Sequence, residues 1–544
     1  MSETTPASTS EATSENTPEN TPETMAETSS AASSTSPSRR ASRSGGRAAR
    51  VAMRAAPLTE DKRPVRPGLE GGRYTPLTEG DVQKIHEAAL HCLSDIGMAD
   101  APQSGVDAMV AAGAEYRDGR LHYSRAMVED MLAKANRKPT LYSQDGKTDL
   151  HPYGNRVYYG TAGAAVHVVD VETKEYAEST LADLYQAARL TQTLDNVHFF
   201  QRPMVCRDLT DNREMDLNTL YASVKGTSKH VGTSFVDTTH TADGLQIMYE
   251  IAGGEQEFRD KPFVSLSCTH VVPPLKFATE SCEIMEVGLR GGMPILMLSA
   301  GQAGATSPAS VAGSVVQAVA ECLAGLIYVN AIIPGHPAMF GTWPFVSDLR
   351  SGAMSGGSGE QALLSAACAQ MHHFYGLPGG AAAGMSDSKM PDIQAGYEKG
   401  ITCALAGLAG LNMVYESAGM HASLLGFCME SLVIDNDMLG QCMRAVRGLE
   451  VTDESISIET MRQVCLEGPG HYLGSAHTMS LMETEYLYPK IANRLSPKEW
   501  AEVGKPDIVA DAQAYIKKVM ESPAPTHISA ELDAALKEKW PLKI

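Results

Sequence analysis

The sequence predicts an α/β fold, a (β/α)8 TIM barrel with a small helical N-terminal subdomain, C-terminal helices and a disordered N-terminal tail. Short apolar runs alternate with helical segments eight times between about residue 156 and residue 450. Such alternation is typical of parallel strands joined by helical crossovers. The count of eight favours a closed barrel over an open sheet, and a span of this length suits a barrel with insertions.

The chain divides into four predicted parts. They are a disordered tail with an arginine-rich end at 1–60, a helical subdomain at 61–150, the barrel at 151–450, and a loop with helices at 451–544. Residues 1–38 are nearly all Ser, Thr, Ala, Pro and Glu, a composition that cannot bury enough apolar surface to offset ordering. Residues 39–54 carry six Arg, which form either a solvated charged tail or a docking arm for an acidic partner.

Capping residues and apolar periodicity predict the elements in chain order. In the N-terminal part, Thr78 caps a helix that ends near Leu93, and a second helix runs from Ser124 to about Ala135. The eight predicted barrel strands are Val166–Asp170, His198–Val205, His230–Val236, Pro262–His270, Pro294–Ala300, Ala331–Gly341, Leu377–Met385 and Asn412–Ser417. The predicted helices follow them at about 180–194, 213–225, 240–252, 276–290, 308–329, 359–375, 391–409 and 428–446.

Composition excludes several functional classes. The formal net charge is −20, so phosphates and anionic membranes would be repelled, whereas a small cationic ligand is compatible. The ten cysteines are dispersed without a C-x-x-C pair, which indicates reduced thiols and a cytoplasmic location. The most apolar stretch, Val311 to Pro334, contains Gln317, Glu321 and Asn330 and is interpreted as a buried helix that leads into a strand.

In a barrel of this kind the chemistry lies where the strands end. The densest polar cluster follows the seventh predicted strand, from Met385 to Glu398. Within it, Gln394 and Glu398 are spaced i, i+4 and therefore share one helix face. A neighbouring stripe of Ile393, Tyr397, Ile401 and Leu405 is predicted to face the core. An amide and a carboxylate beside a core stripe favour a functional cluster over an ordinary capped helix start.

Two other strand ends carry candidate ligand-binding groups. Glu416 follows the apolar run that ends at Tyr415, and it is either a paired structural carboxylate or a group that faces the barrel cavity. Trp343 follows the sixth strand, with Phe345 two residues later. An aromatic face beside carboxylates suits a quaternary ammonium ligand, although a Trp that merely covers a loop is the alternative. His477, in a glycine-rich loop, is either a ligand contact or a packing histidine.

Several of these motifs together resemble one family. Ser386-Asp-Ser-Lys-x-x-Asp392-x-Gln394-Ala-Gly-Tyr-Glu398 is similar to the signature of the trimethylamine methyltransferase family. Further similar segments occur in the same order along residues 62–500, and they are 63–78 (RPVRPGLEGGRYTPLT), 342–352 (TWPFVSDLRSG), 430–436 (ESLVIDN) and 468–478. The founding members carry pyrrolysine at the barrel mouth, whereas ordinary residues stand around Met390 here. The chain thus resembles the non-pyrrolysine branch, whose members demethylate quaternary amines such as glycine betaine.

The resemblance implies a (β/α)8 methyltransferase that moves a methyl group from a methylated amine to the Co(I) of a separate corrinoid-binding protein. No cofactor is expected to be tightly bound, no metal is expected, and a homo-oligomer is expected. The roles it suggests fall into three groups. The candidate catalytic residues are Glu416, Glu398 and Gln394. The candidate substrate-binding residues are Trp343, Phe345, Tyr415, Arg202, Asp387 and His477. The candidate corrinoid-facing residues are Ser386, Lys389, Met390 and Gly419.

Four alternative functions remain open from the sequence. In the first alternative the substrate is trimethylamine itself. In the second, the methyl group passes directly to a folate. In another class, Cys268, His270 and Glu416 converge on zinc in a barrel lyase or hydrolase. In a non-enzymatic class, the barrel binds a methylated amine without turnover.

Overall fold

A computed structural model of the chain describes residues 58–544. The predicted disordered tail, apart from its last three residues, lies outside the described residues. Residues 59–544 cluster as one compact unit.

Eight parallel strands form a closed ring, which confirms the predicted barrel. Each strand pairs in parallel with the next, and the eighth pairs with the first through Met413 opposite Tyr158 and Val414 opposite Tyr159. A short strand, Leu69–Glu70, adds antiparallel to the first. The barrel strands are β1 (Arg156–Thr161), β2 (Phe199–Gln201), β3 (Val231–Thr233), β4 (Val264–Cys268), β5 (Ile295–Ser299), β6 (Ala338–Thr342), β7 (Gly379–Ala382) and β8 (Met413–Tyr415).

At least one helix follows each barrel strand, as predicted, and β3 is followed by a second, short one, Glu255–Asp260. Side-chain caps set several starts, as where Thr180 and Asp183 form a capping box and where Asp392 accepts a hydrogen bond from Ala395 N. The helices are α1 (Leu181–Thr193), α2 (Asn212–Gly226), α3 (Thr238–Ala252), α4 (Thr279–Arg290), α5 (Val311–Ile332), α6 (Gly359–Tyr375), α7 (Ile393–Leu408) and α8 (Met429–Arg447).

The first predicted barrel strand is wrong. The ring uses Arg156–Thr161, whereas His167–Val169 pairs with Tyr176–Glu178 and with Gly426–Phe427 in a separate small sheet. The segment is extended, as its alternation indicates, but it belongs to the loop between β1 and α1. A local pattern specifies an extended conformation and not the sheet that the strand joins.

Helices flank the barrel in both directions along the chain. The two helices predicted before the barrel are present as Glu79–His91, capped by Thr78, and Arg125–Lys134, capped by Ser124. Between them lie a third helix, Gln103–Ala111, and a small antiparallel sheet of 98–99, 115–117 and 120–122. The helices after the barrel are Asp453–Ile456, Ile458–Arg462, Ala476–Leu481, Pro497–Glu502, Ile508–Glu521 and Ala530–Lys539.

The helix α5 is the one helix of the described residues that is long and apolar enough to cross a membrane. Of its most apolar window, 83% is buried inside the protein. It packs on the helices Glu79–His91 and Arg125–Lys134 and on β6. The prediction of a buried helix in the apolar stretch is therefore confirmed.

Candidate active site

Glu416 directly follows β8 and is a buried acid without a compensating group. Its side chain is 1% exposed, and Oε2 has no hydrogen-bond partner among the described residues. Burial alone raises the pKa of Glu416 to about 8. Its backbone has φ of 60°, a left-handed conformation that is costly for a residue with a long side chain. A strained, buried and unsatisfied carboxyl at a strand end indicates a ligand site.

Aromatic rings gather around Tyr415, the residue before Glu416. The ring of Tyr415 lies 5.1 Å from that of Trp343 and 5.0 Å from that of Phe199, centroid to centroid, and Phe345 adds an edge contact to Trp343 at 6.5 Å. Gly380 of β7 permits this arrangement, because a Cβ there would lie 2.7 Å from the Tyr415 ring. All four rings are buried. The structure thus brings together the predicted Trp343, Phe345 and Tyr415.

Glu398 is buried, and its carboxylate bonds to the loop after β7 and to Gln394 of its own helix. Its Oε2 accepts hydrogen bonds from Ser386 Oγ at 2.7 Å and from Asp387 N at 2.8 Å, and its Oε1 accepts one from Gln394 Nε2 at 2.8 Å. Gly357 lies so close that a Cβ there would be 2.4 Å from Oε2. With both oxygens occupied, Glu398 and Gln394 shape the loop in this structure. Their catalytic role stays a prediction.

Three loops at the barrel mouth are joined through Asp387. Its carboxylate accepts hydrogen bonds from Ser355 Oγ at 2.6 Å, from Gly356 N at 2.7 Å and from Ser423 Oγ. Lys389 Nζ donates to Asp387 O at 2.7 Å. Asp387 therefore connects the loop after β7 to the segment before α6 and to the loop after β8.

A buried ion pair fixes the loop after β8. Lys399 Nζ lies 2.7 Å from Asp435 Oδ2, which also accepts a hydrogen bond from Gly419 N at 2.8 Å. Neither charged side chain is more than 6% exposed. The pair joins α7 to α8 and holds Gly419, a predicted corrinoid-facing residue, beneath the surface.

The predicted orientation of α7 is wrong. Ile393, Tyr397 and Ile401 are 89%, 61% and 48% exposed, whereas Glu398 and Lys399 are buried. The cost of burying the two charged residues is offset because each finds partners, Glu398 in the loop after β7 and Lys399 in Asp435. The apolar stripe therefore points outward.

The remaining predicted site residues lie in different surroundings. Arg202 follows β2 and is half-buried, with Nε donating to Ser234 Oγ at 2.9 Å and no acid within ion-pair distance among the described residues. Burial lowers the pKa of Arg202, with Asp216 opposing the shift. Lys389 is exposed, Met390 is half-buried and Ser386 is buried. His477 contacts Ser457 Oγ at 3.0 Å within the C-terminal region, with no contact to the other candidates.

The zinc alternative is not supported by the described residues. His270 Nε2 lies 2.9 Å from Glu321 O, and Cys268 Sγ donates to Ser281 O at 3.2 Å. No group of three or more His, Cys, Asp or Glu side chains in residues 58–544 is arranged to hold a metal ion. Cys268, His270 and Glu416 therefore do not converge on one metal.

The sequence-based argument missed a second buried acid near the strand ends. Glu321 of α5 is fully buried and accepts hydrogen bonds from Ser299 Oγ at 2.5 Å, Leu275 N at 2.8 Å and Gln317 Nε2 at 3.1 Å. Burial raises the pKa of Glu321. Glu321 follows Gln317 by four residues, which is also the spacing of Gln394 and Glu398. This repeated spacing is the sequence signal that could have identified Glu321.

Comparison with known sequences shows the family to which the chain belongs. The sequence matches the family described as "Trimethylamine methyltransferase (MTTB)" over residues 43–540. The chain belongs to this family. It is 28% identical over 466 residues to glycine betaine methyltransferase of Desulfitobacterium hafniense, covering 85% of this chain and 96% of that protein. It is also 28% identical over 473 residues to trimethylamine methyltransferase MttB of Methanosarcina barkeri, covering 85% of this chain and 94% of that protein.

Among solved structures, the monomethylamine methyltransferase MtmB of Methanosarcina barkeri aligns with 85% of this chain and 90% of that protein, with a TM-score of 0.48 and 10% identity. The relatives are named methyltransferases. The chain is therefore an enzyme of the methyltransferase class. Their names divide between glycine betaine and trimethylamine, so family membership leaves the methylated amine undecided.

Proposed function

We propose that this methyltransferase takes a methyl group from a small quaternary methylamine with a carboxylate, such as a betaine, and passes it to the Co(I) of a corrinoid-binding protein. The observation that carries the proposal is Glu416, a buried carboxyl with an oxygen that has no hydrogen-bond partner among the described residues; it directly follows Tyr415, whose ring contacts that of Trp343. A quaternary ammonium has no N–H to donate. It is bound by opposite charge and by aromatic faces. The rings of Trp343 and Tyr415 offer the aromatic faces, and Glu416 would supply the negative charge on losing its proton.

The leaving group favours a quaternary substrate. When the nitrogen–methyl bond breaks, its electron pair stays on nitrogen, and a quaternary ammonium leaves as a neutral amine. The methyl carbon accepts its new electron pair from the Co(I) of the acceptor. Such a displacement needs alignment and the exclusion of water rather than a general acid.

The enzyme's own residues supply binding and exclusion of water. Glu416, Trp343 and Tyr415 are each no more than 5% exposed, so substrate enters by displacement of the loops above them. The loop joined through Asp387 is the element that covers the mouth, and exposed Lys389 with half-buried Met390 form its outer edge. We assign that edge to contact with the corrinoid-binding partner.

Arg202 supports a carboxylate on the substrate. It follows β2, next but one to β8 around the ring. Among residues 58–544 its guanidinium makes hydrogen bonds to Ser234 Oγ and, at 3.5 Å, to Met204 O and to no other group. A half-buried guanidinium without an acid retains donors for a bidentate carboxylate. A betaine carries such a group, whereas choline and trimethylamine do not.

A methyl-transfer screen tests the function. Reduced cobalamin is offered with glycine betaine, proline betaine, carnitine, choline or trimethylamine, and formation of methylcobalamin is followed by absorbance. We expect transfer from a betaine and strong loss in Glu416→Gln, whereas Glu502→Gln, at an exposed acid, serves as the matched control and keeps full activity. Transfer from trimethylamine alone, transfer only to a folate, or binding without turnover would each contradict the proposal.

Substitution of Arg202 separates substrates by their carboxylate. Arg202→Met should raise KM for a betaine by roughly 10- to 150-fold, the equivalent of about 1.5–3 kcal/mol for a charged hydrogen bond. Any weak activity with choline should keep its KM. Equal effects on both substrates would place Arg202 outside the carboxylate site.

A further inference from the structure

A cavity of about 200 Å³ lies on the outside of the barrel, against α8. Its other walls are the segment 63–67, before the barrel, and the segment 487–494, after it. Asn196, which also lines the cavity, precedes β2, whereas Glu416 follows β8. Because the barrel strands are parallel, these two residues lie toward opposite ends of the ring. The cavity is therefore separate from the candidate active site.

Basic side chains outnumber acidic ones around this cavity, which we call the basic pocket. Its charged lining residues are Arg63, Arg66, Lys490 and Arg494 on the basic side and Asp195 and Asp437 on the acidic side. The excess of two positive charges occurs in a chain with a net charge of −20. Net charge sets the potential far from the protein, whereas groups within a Debye length of about 8 Å set it locally. The repulsion of phosphates expected from the net charge therefore does not extend into the pocket.

Both acids of the basic pocket are already bound by protein groups. The carboxylate of Asp437 accepts hydrogen bonds from the backbone N–H groups of residues 490–492, at 2.9–3.1 Å. Asp195 Oδ2 lies 2.9 Å from Lys490 Nζ. Burial would raise the pKa of Asp195, but the hydrogen bond and charge of Lys490, and to a smaller extent the charge of Arg63, lower it. Asp195 is thus the counter-charge of Lys490.

Three guanidinium groups remain without an acid at ion-pair distance. Within residues 58–544, Arg63 and Arg494 make no side-chain hydrogen bond or ion pair. Arg66 donates one long hydrogen bond, from Nη1 to Asp61 O at 3.4 Å. Each guanidinium has five N–H donors and stays charged at any physiological pH. Like charges around one cavity repel, and a bound anion would remove that repulsion.

The walls of the basic pocket are fixed by backbone restraints. Arg63 and Arg66 each precede a proline, which favours an extended backbone, and Arg63 has φ of −65° and ψ of 140°. Arg447 of α8 donates from Nη1 to Pro64 O at 3.5 Å, while Asp437 of the same helix holds the opposite wall. Donors held in place before binding lose less entropy when a ligand arrives.

We propose that the basic pocket binds a small multivalent anion that carries a phosphate group. Guanidinium groups bind phosphate and carboxylate through paired N–H donors. A phosphate group has a charge of about −1.5 to −2 at neutral pH and three acceptor oxygens, so it can accept from several arginines at once. A single carboxylate has one negative charge and two oxygens. The enclosed shape favours a small anion over the extended backbone of a nucleic acid.

Isothermal titration of the full chain with four anions tests the proposal. The anions are inorganic phosphate, pyrophosphate, adenosine monophosphate and citrate, in phosphate-free buffer with physiological salt. We expect at least one phosphate compound to bind with one site per chain, and citrate, with carboxylates alone, to bind more weakly. Tighter binding of pyrophosphate would assign an inorganic ligand, and tighter binding of the nucleotide an organic phosphate.

Substitutions locate the anion within the basic pocket. Arg63→Gln and Arg494→Gln should each raise the dissociation constant at least ~10-fold, the effect of losing one charged hydrogen bond. Arg290→Gln is the matched control, because this arginine is 64% exposed at the end of α4 and outside the pocket. Its affinity for the anion should equal that of wild type.

The melting temperature separates binding from packing. Without an anion, Arg494→Gln should melt at or above the wild-type temperature, because one of several like charges is removed. A saturating phosphate compound should raise the melting temperature of wild type and of Arg290→Gln, but not of the double variant Arg63→Gln with Arg494→Gln. No binding heat with any phosphate compound, equal losses of affinity in Arg494→Gln and Arg290→Gln, or citrate bound most tightly would overturn the proposal.

Discussion

Glu416 combines strain, burial and a missing partner in one residue. Each of these costs stability, and no group in residues 58–544 offers a hydrogen bond to Oε2 in return. Natural proteins keep such costs where function needs them. The sequence placed Glu416 at a strand end, but its left-handed backbone and its lack of a partner were visible only in the structure.

The raised pKa of Glu416 makes stability depend on pH in a defined direction. Burial raises the pKa to about 8 from an ordinary value of 4.5, so between these values the folded state holds a proton that the unfolded state has lost. The stabilising effect of that proton is complete below about pH 4.5 and is lost as pH rises through 8. In Glu416→Gln the amide side chain is neutral at every pH in this range, so it makes no such pH-dependent contribution.

We therefore expect the melting temperature of Glu416→Gln, relative to wild type, to increase between pH 5 and pH 8 and then to stay level. Differential scanning calorimetry across this range measures the difference. A constant or decreasing difference would show that Glu416 ionises normally in the empty enzyme.

Trp343 is a buried ring whose contribution to binding can be separated from its packing. Trp343→Leu keeps apolar bulk but removes the aromatic face, and should cost roughly 0.5–2 kcal/mol of betaine affinity. Trp343→Phe keeps an aromatic face and should retain most of it. Calorimetric titration with a betaine measures both variants, and equal losses would show that Trp343 only packs on Tyr415.

At the scale of elements, α7 shows what periodicity can and cannot predict. The i, i+4 stripes of the helix were present in the sequence, and its bounds were predicted within two residues. Which stripe faces inward depends on groups distant in sequence, since Asp435 of α8 pairs with Lys399 and the loop after β7 binds Glu398. Single-sequence patterns do not contain those pairings.

The ion pair between α7 and α8 gives an element-scale prediction. Asp435→Asn leaves the Lys399 ammonium buried without its counter-charge and should lower the free energy of unfolding by roughly 3–5 kcal/mol. Glu502→Gln breaks the exposed pair with Lys498 and should change it by less than about 1 kcal/mol. Chemical denaturation compares the two variants. Similar small losses would show that burial adds nothing to the Lys399 pair.

At the scale of the whole molecule, the alternation of strands and helices was sufficient to predict a closed eight-stranded barrel. The first strand was assigned one segment too late because His167–Val169 is also extended, in another sheet. Strand ends predicted that Trp343 and Tyr415 lie together, because barrel geometry brings those ends together, and their ring centroids are 5.1 Å apart. The role of Glu416 stays a prediction. Loop contacts such as those of Asp387 depend on tertiary packing and were not predictable.

The central claim is that Glu416 binds a methylated ammonium as a carboxylate inside the closed mouth. Protonated in the empty enzyme at pH 7, it must lose its proton when the cation arrives. Isothermal titration of a betaine at pH 7, repeated in buffers of different ionisation enthalpy, counts the protons released. We predict close to one proton per betaine for wild type and none for Glu416→Gln, with weaker binding. Equal affinity and no proton release in both proteins would contradict the claim.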